Sequence, residues 1–250
     1  MLKVATKFLP ELSAFDLAYQ AGFRSAEFWL DTNLISQWES LSAMANYYPL
    51  NYALHFPNRA TMEQGDLENT VAFYQAIEAQ AVVIHQPMFD RYSELLTDLD
   101  ADIPLAVENH RLNEAEFEQW AQANPGLTLD VEHLWKFTLQ DAPLEVLLEK
   151  VQTFLERYHE KLLHVHLPGY QPGYAEHRPM YRSEEMVFPV LSLFSEFEMQ
   201  GLIVSEIHQD YQNLNDLQMD VLLFNRWRKE HDPRYPARNP TIPAVDGQPV

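Results

Sequence analysis

Seven short apolar runs in this chain end in, or just before, a residue that can bind a metal ion or move a proton. Glu27 follows two residues of SAEFWL, His55 closes YALH, His85 closes VVIH, and Glu108 closes LAVE. Asp130 closes LTLD with His133 three residues on, LLHVH carries His164 and His166, and LIVSE ends in Glu206. If one fold brings these ends together, several carboxylates and imidazoles share a small volume and cannot all stay unpaired. A divalent cation neutralises them most simply. Oxygen and nitrogen ligands without sulfur suit Mn²⁺, Mg²⁺, Co²⁺ or Zn²⁺, and the chain has no cysteine. Carboxylates next to such an ion can also act as general acid and base.

Each of these residues also has a structural explanation. His164 lies two residues before His166, so it points to the same side one layer deeper and reads as a buried structural group. Glu27 reads equally as the partner of a neighbouring cation, and His208 as a rim residue beyond Glu206. His110 and His159 do not close an apolar run and receive no role. The aromatic residues Phe28, Trp29, Phe56, Trp135, Tyr170 and Tyr174 sit at or near strand ends, where rings can stack on the C–H faces of a small ligand, but most read as core or loop anchors.

The elements that must position these groups follow from periodicity. Eight runs, Leu2–Thr6, Ser25–Leu30, Asn51–Phe56, Ala81–Gln86, Ile103–Asn109, Leu127–Val131, Leu162–Leu167 and Leu202–Ile207, are short and mostly non-alternating. Strands buried on both faces read that way. Between them apolar residues recur at helical spacing, as in Leu34, Trp38, Leu41 and Met44, or Leu144, Leu147, Leu148, Val151, Phe154 and Leu155. Eight strand–helix units predict an α/β chain folded as a single (β/α)8 TIM barrel, whose strand ends share one mouth. A doubly wound open sheet is the competing architecture. No G-x-G-x-x-G or G-x-x-x-x-G-K stretch supports it in a chain with seven glycines. The predicted barrel spans 1–231. A long connection, Pro168 to about Glu185, follows the seventh strand and is expected to cover the mouth as a lid. The stretch 232–250 holds five prolines and reads as an extended tail.

Composition excludes several classes of function. With 17 Lys and Arg against 37 Asp and Glu, the formal charge is −20 and the pI about 4.7. That field opposes nucleic acids and anionic membranes. No run approaches the roughly 18 apolar residues of a spanning helix, and the N-terminus does not read as a signal peptide. The expected location is the cytoplasm, with a homo-oligomer compatible with the sequence.

The motifs VENH, LDVEH, HVHLPG and VSEIH, in this order on the fifth to eighth strands, resemble the xylose isomerase-like TIM-barrel superfamily over about residues 2–230. That group holds sugar and sugar-phosphate isomerases and epimerases, inosose dehydratases and, more distantly, endonuclease IV. The resemblance implies one divalent ion held by Glu108, Asp130, His166 and Glu206. It implies that Glu108 and Glu206 exchange a proton with a small ketose or related polyol, phosphorylated or not, through a metal-stabilised enediolate. It implies substrate contacts from His133 and from an arginine of the lid, Arg178 or Arg182, with His55, His85 and His177 completing the pocket. A second ion, bridged by Glu108 and supported by His85, is compatible with this set. The family's usual His-x-Lys-Asp or His-x-Asn-Asp step after the seventh strand is replaced by His166-Leu167-Pro168-Gly169. The resemblance leaves two alternatives: an inosose-type dehydratase, and an endonuclease IV-like phosphodiesterase using several zinc ions. The second lacks an Asp in the loop motif Ala175-Glu176-His177 and needs a basic track that this chain does not have.

Overall fold

A computed structural model describes residues 1–59 and 61–232. Eight parallel strands close on themselves in sequence order. They are β1 (Lys3–Phe8), β2 (Ser25–Trp29), β3 (Asn51–His55), β4 (Val82–His85), β5 (Leu105–Glu108), β6 (Leu127–Asp130), β7 (Leu162–His166) and β8 (Leu202–Ser205). Around them run α1 (Leu12–Ala21), α2 (Thr32–Ile35), α3 (Trp38–Tyr47), α4 (Gln64–Ala76) and α5 (Gln86–Leu99). They continue with α6 (Glu114–Ala123), α7 (Val131–His133), α8 (Leu144–Tyr158), α9 (Glu184–Glu196) and α10 (Leu214–His231). The expected (β/α)8 barrel is therefore the fold. The tail expected over 232–250 lies outside the described residues beyond Asp232, which accepts a hydrogen bond from Ser195 Oγ at 3.0 Å. Among the described residues no helix is long and apolar enough to cross a membrane.

Side-chain alternation decides what faces the barrel's interior. Ala5, Ala53, Leu202 and Val204 meet there in a small apolar cluster. Small residues leave room for the layer above, which lies two positions further along each strand. That layer holds Lys7, His55 and Glu206, and by the same step His166 lies above His164 and Asp130 above Thr128. A register shift between β6 and β7 inserts one residue of β7, pairing Leu127 with Leu162 but Thr128 with His164. It keeps both histidines in register with the polar face of β6. The larger core lies outside the barrel, where aromatic and aliphatic side chains of the helices pack on the outward faces of the strands.

The connection after β7 is long, as expected, but it is tied down. Gly169 and Arg178 exchange backbone hydrogen bonds of 2.7 and 3.1 Å, closing the loop on itself. A Cβ at Gly169 would lie 2.1 Å from the Pro179 carbonyl oxygen, so only glycine permits this closure. The far end is held by Asp220 of α10, which accepts from Tyr181 N at 3.0 Å and from Ser205 Oγ at 2.5 Å. Asp220 thus fixes both the end of the loop and the residue before Glu206.

Burial pushes the Asp220 carboxyl up to about 6, against stabilising bonds from Ser205 and two backbone N–H groups. A carboxyl raised in the folded state favours folding fully below its unfolded range near 3.8, and that contribution is lost as pH rises through about 6. The difference is on the order of 3 kcal/mol. Denaturant unfolding of Asp220→Asn should therefore gain stability relative to the parent as pH rises from 4 to 7. Parallel profiles over that range would show that Asp220 is not held neutral.

Candidate functional site

The C-terminal strand ends open into a cavity of about 850 Å³. Its floor is built from strand-end side chains, and each is aimed by a local device. Asp130 starts α7, and its Oδ1 caps that turn by accepting from His133 N at 2.7 Å. The cap spends one oxygen and leaves Oδ2, fully buried and without a hydrogen-bond donor, facing the barrel axis. Asn109 locks the same position by exchanging two bonds with the Asp130 backbone, 2.6 and 2.9 Å, beyond the last paired residues of β5 and β6.

His166 has no solvent exposure and lies behind the lining residues Glu108 and Glu206, not among them. Its Nε2 lies 3.0 Å from Glu27 Oε2. Its Nδ1 lies 3.0 Å from Glu206 Oε2, 3.7 Å from Asp130 Oδ2 and 3.8 Å from Glu108 Oε1. Glu108 in turn approaches His55 (3.1 Å) and His85 (3.2 Å) through Oε2, and His133 (3.5 Å) through Oε1. Burial opposes charge on His166, but Glu27, Glu206 and Glu108 hold it protonated well above the ordinary imidazole range. Burial likewise opposes charge on Glu108 and Glu206, yet His166 beside the first, and Lys7 and His166 beside the second, keep both well below the usual carboxylate range. His133 is pushed up to about 9, burial being outweighed by Asp130 and Glu108.

This donor set fits a divalent cation. Glu108, Asp130 and His166 offer one ligand atom each within 4.8 Å of one another, and His55, His85 and Glu108 form a second such group. The buried Nδ1 of His166 and Oδ2 of Asp130 have no hydrogen-bond partner among the described residues, although both face the same point. A cation there would take the place of the Nδ1 proton. Glu206 reaches the same imidazole nitrogen through Oε2.

The structure places the other expected site residues as follows. His55, His85, His133 and His177 line the cavity together with Glu108 and Glu206. Arg178 is not among the lining residues. Its guanidinium lies 4.7 Å over the Tyr174 ring, and Arg182 packs against Tyr211 at 4.8 Å. The guanidinium that does line the cavity belongs to Arg111, a residue in left-handed backbone (φ 54°) that stacks on Phe137. His177 also adopts a left-handed conformation, with φ 55°. Glu132 accepts its N–H at 2.9 Å, and His208 N donates to its carbonyl at 2.8 Å. Lys136 pairs with the adjoining Glu176. The lid is thereby pinned over the mouth.

Three contributors escaped sequence reasoning. Lys7 lies 3.0 Å from Glu27 and 2.9 Å from Glu206. The expected first strand stopped at Thr6 because a charged residue ends an apolar run, whereas β1 pairs with β2 as far as Phe8. His110, one residue past Asn109, stacks on His85 with ring centres 4.6 Å apart. Burial, then His85 and His133, push it down to about 4. Asn109 was read only as the end of a strand. His164 is wholly buried, 2.6 Å from Glu27, and Phe28, Phe56, Trp135 and Tyr170 are buried as well. Of the aromatic set, Trp29 lines the cavity.

No model of a known protein family matches this chain, and no curated protein matches it. Solved structures do. A D-tagatose 3-epimerase-like protein superposes with a TM-score of 0.66 at 15% identity, over 90% of this chain and 96% of that one. The D-allulose 3-epimerase of Methylomonas sp., in complex with D-allulose, gives 0.60 at 14%, over 91% and 97%. An L-ribulose 3-epimerase gives 0.57 at 12%, over 91% and 94%. At these identities the shared property is the barrel fold.

Replacing Asp130 by Ala should abolish tight cation binding while costing the fold about 1 kcal/mol for the lost cap. Metal content after loading with Mn²⁺ and gel filtration checks this. Full occupancy in Asp130→Ala would remove Asp130 from the ligand set.

Proposed function

We propose that this protein is a divalent-cation-dependent epimerase or isomerase of a small ketose or related polyol. The observation that carries the reading is the meeting of Glu108, Asp130 and Glu206 around the buried Nδ1 of His166, on four successive strand ends, with Glu108 and Glu206 also lining the cavity. Two of the similar solved barrels are a D-allulose 3-epimerase holding its sugar and an L-ribulose 3-epimerase, which supports a small ketose. The strongly acidic chain supports a substrate other than nucleic acid.

When bound, the cation supplies Lewis-acid polarisation of a carbonyl oxygen, which acidifies the neighbouring carbon. The remaining work falls to the chain. Glu108 on β5 and Glu206 just past β8 approach the centre from different strands, so one can remove a proton from one face of the carbon and the other can return it to the opposite face. Both are held ionised, well below the usual carboxylate range, so either can start as the base, although their neighbours differ. Glu108 is ringed by His55, His85 and His133, whereas Glu206 contacts Lys7 and His166. His133 is placed to donate to a substrate hydroxyl or to the oxygen that gains charge. Glu176 and His177 of the pinned loop form part of the cavity wall. Trp29 offers an exposed ring for a sugar C–H face.

His55, His85 and Glu108 are the residues that would hold a second cation. Counting ions per chain separates the readings: one ion favours the epimerase or isomerase, and three favour an endonuclease IV-like phosphodiesterase.

D-allulose, D-tagatose and L-ribulose, each incubated with the protein and Mn²⁺, Mg²⁺, Co²⁺ or Zn²⁺ in D₂O, should show epimerisation with deuterium incorporated beside the carbonyl. No exchange with any ketose, bare or phosphorylated, would overturn the proposal. Glu108→Gln and Glu206→Gln keep side-chain shape and a weaker oxygen ligand but remove the proton acceptor. Each should retain metal yet lose at least about 10²-fold in turnover, within the usual worth of general acid–base catalysis. One should still exchange the substrate proton without completing the inversion. Near-normal turnover in both would transfer the proton chemistry to another group.

A further inference from the structure

Beneath the proposed ligands lies a buried charged pair that the proton chemistry does not use. Glu27 has no solvent exposure and Lys7 only 8%. Desolvation penalises both ions of such a pair, and packing apolar residues of similar volume would often be at least as stable. Its contacts point to a role other than stability. Glu27 Oε1 takes Lys7 at 3.0 Å, and Oε2 takes both His164 Nε2 at 2.6 Å and His166 Nε2 at 3.0 Å. Lys7 also reaches Glu206 Oε1 at 2.9 Å. The imidazole of His166 thus stands between two carboxylate environments. One side donates to Glu27. The other, Nδ1, faces Glu108, Asp130 and Glu206. Turning the ring over would break the Glu27 hydrogen bond at a fully buried imidazole.

We propose that Glu27, clamped by Lys7, is the positioning residue of the metal centre: it fixes His166 with Nδ1 turned into the carboxylate cluster and thereby sets the affinity for a divalent cation. A ligating imidazole generally donates its second N–H to such a partner, and losing that partner costs about 10–100-fold in metal affinity. Lys7 keeps Glu27 in place and at the same time occupies one oxygen of Glu206, leaving Oε2 as that residue's oxygen toward the centre. The inference rests on the metal centre proposed above.

Mn²⁺ titration of the whole protein, followed by the electron paramagnetic resonance of free Mn²⁺, tests it. Two variants remove the charge of Glu27 equally but differ in the hydrogen bond. Glu27→Gln retains a carbonyl oxygen that can accept from His166 Nε2, and Glu27→Leu does not. The expected result is a loss of about 10–100-fold for Glu27→Leu, with Glu27→Gln clearly tighter than Glu27→Leu. The double variant Lys7→Met, Glu27→Leu keeps the net charge and replaces the pair by apolar side chains, so it guards against a failure to fold. It should remain as weak as Glu27→Leu. A purely structural role would lower the melting temperature and leave the Mn²⁺ affinity of the folded protein unchanged, and wild-type affinity in the double variant would overturn the inference while the centre stood. Absence of Mn²⁺ binding by the parent protein would overturn the centre itself, and this inference with it.

Discussion

Four carboxylates, Glu27, Glu108, Asp130 and Glu206, are packed against one imidazole at the top of the barrel, and the rest of the molecule is arranged around that constraint. Like charges brought together in a poorly solvated site must be neutralised or they shift and protonate. The chain supplies a partial answer of its own. Lys7 bridges Glu27 and Glu206, and His166 touches all four carboxylates, two of them at 3.0 Å. Protein charges leave Asp130 Oδ2 without a donor, and His166 Nδ1 without an aligned acceptor. A cation bound between them would complete the neutralisation.

The fold serves this arrangement at several levels. Small residues in the barrel interior leave volume for the polar layer above them. The register shift on β7 pairs His164 and His166 with Thr128 and Asp130 of β6. The cap at α7 and the two bonds from Asn109 determine which oxygen of Asp130 is free. Asp220, on the far side of β8, ties the strand end before Glu206 to the end of the lid. Each interaction is modest. Together they hold the donor atoms within a narrow range of positions, which a binding or catalytic centre requires.

How much of this is legible in the sequence depends on the kind of signal. All eight strands were recognisable, because a strand buried on both faces leaves a continuous apolar run, and the polar residues closing those runs stood out against it. Glu108, Asp130, His166 and Glu206 were visible for that reason. Lys7 was not, because the same rule that finds a strand treats a lysine as its end, although β1 continues to Phe8. Asn109 and His110 follow Glu108 in the same motif, but their roles depend on β6 and β4 lying alongside, which only the closed barrel specifies. The lid shows the opposite limit. Its length was plain, yet its path depends on a glycine closure and a left-handed His177 held by Glu132. Arg178 consequently stacks on Tyr174, and Arg111 provides the guanidinium on the cavity wall.

The central claim is that the mouth is built to hold a divalent cation. Anomalous diffraction from a crystal grown with Mn²⁺ tests it most directly. The account predicts one strong peak enclosed by His166 Nδ1, Asp130 Oδ2 and oxygens of Glu108 and Glu206, with Lys7 still bound to Glu27. A well-ordered mouth without anomalous density, with His166 remaining hydrogen-bonded to the carboxylates alone, would contradict it.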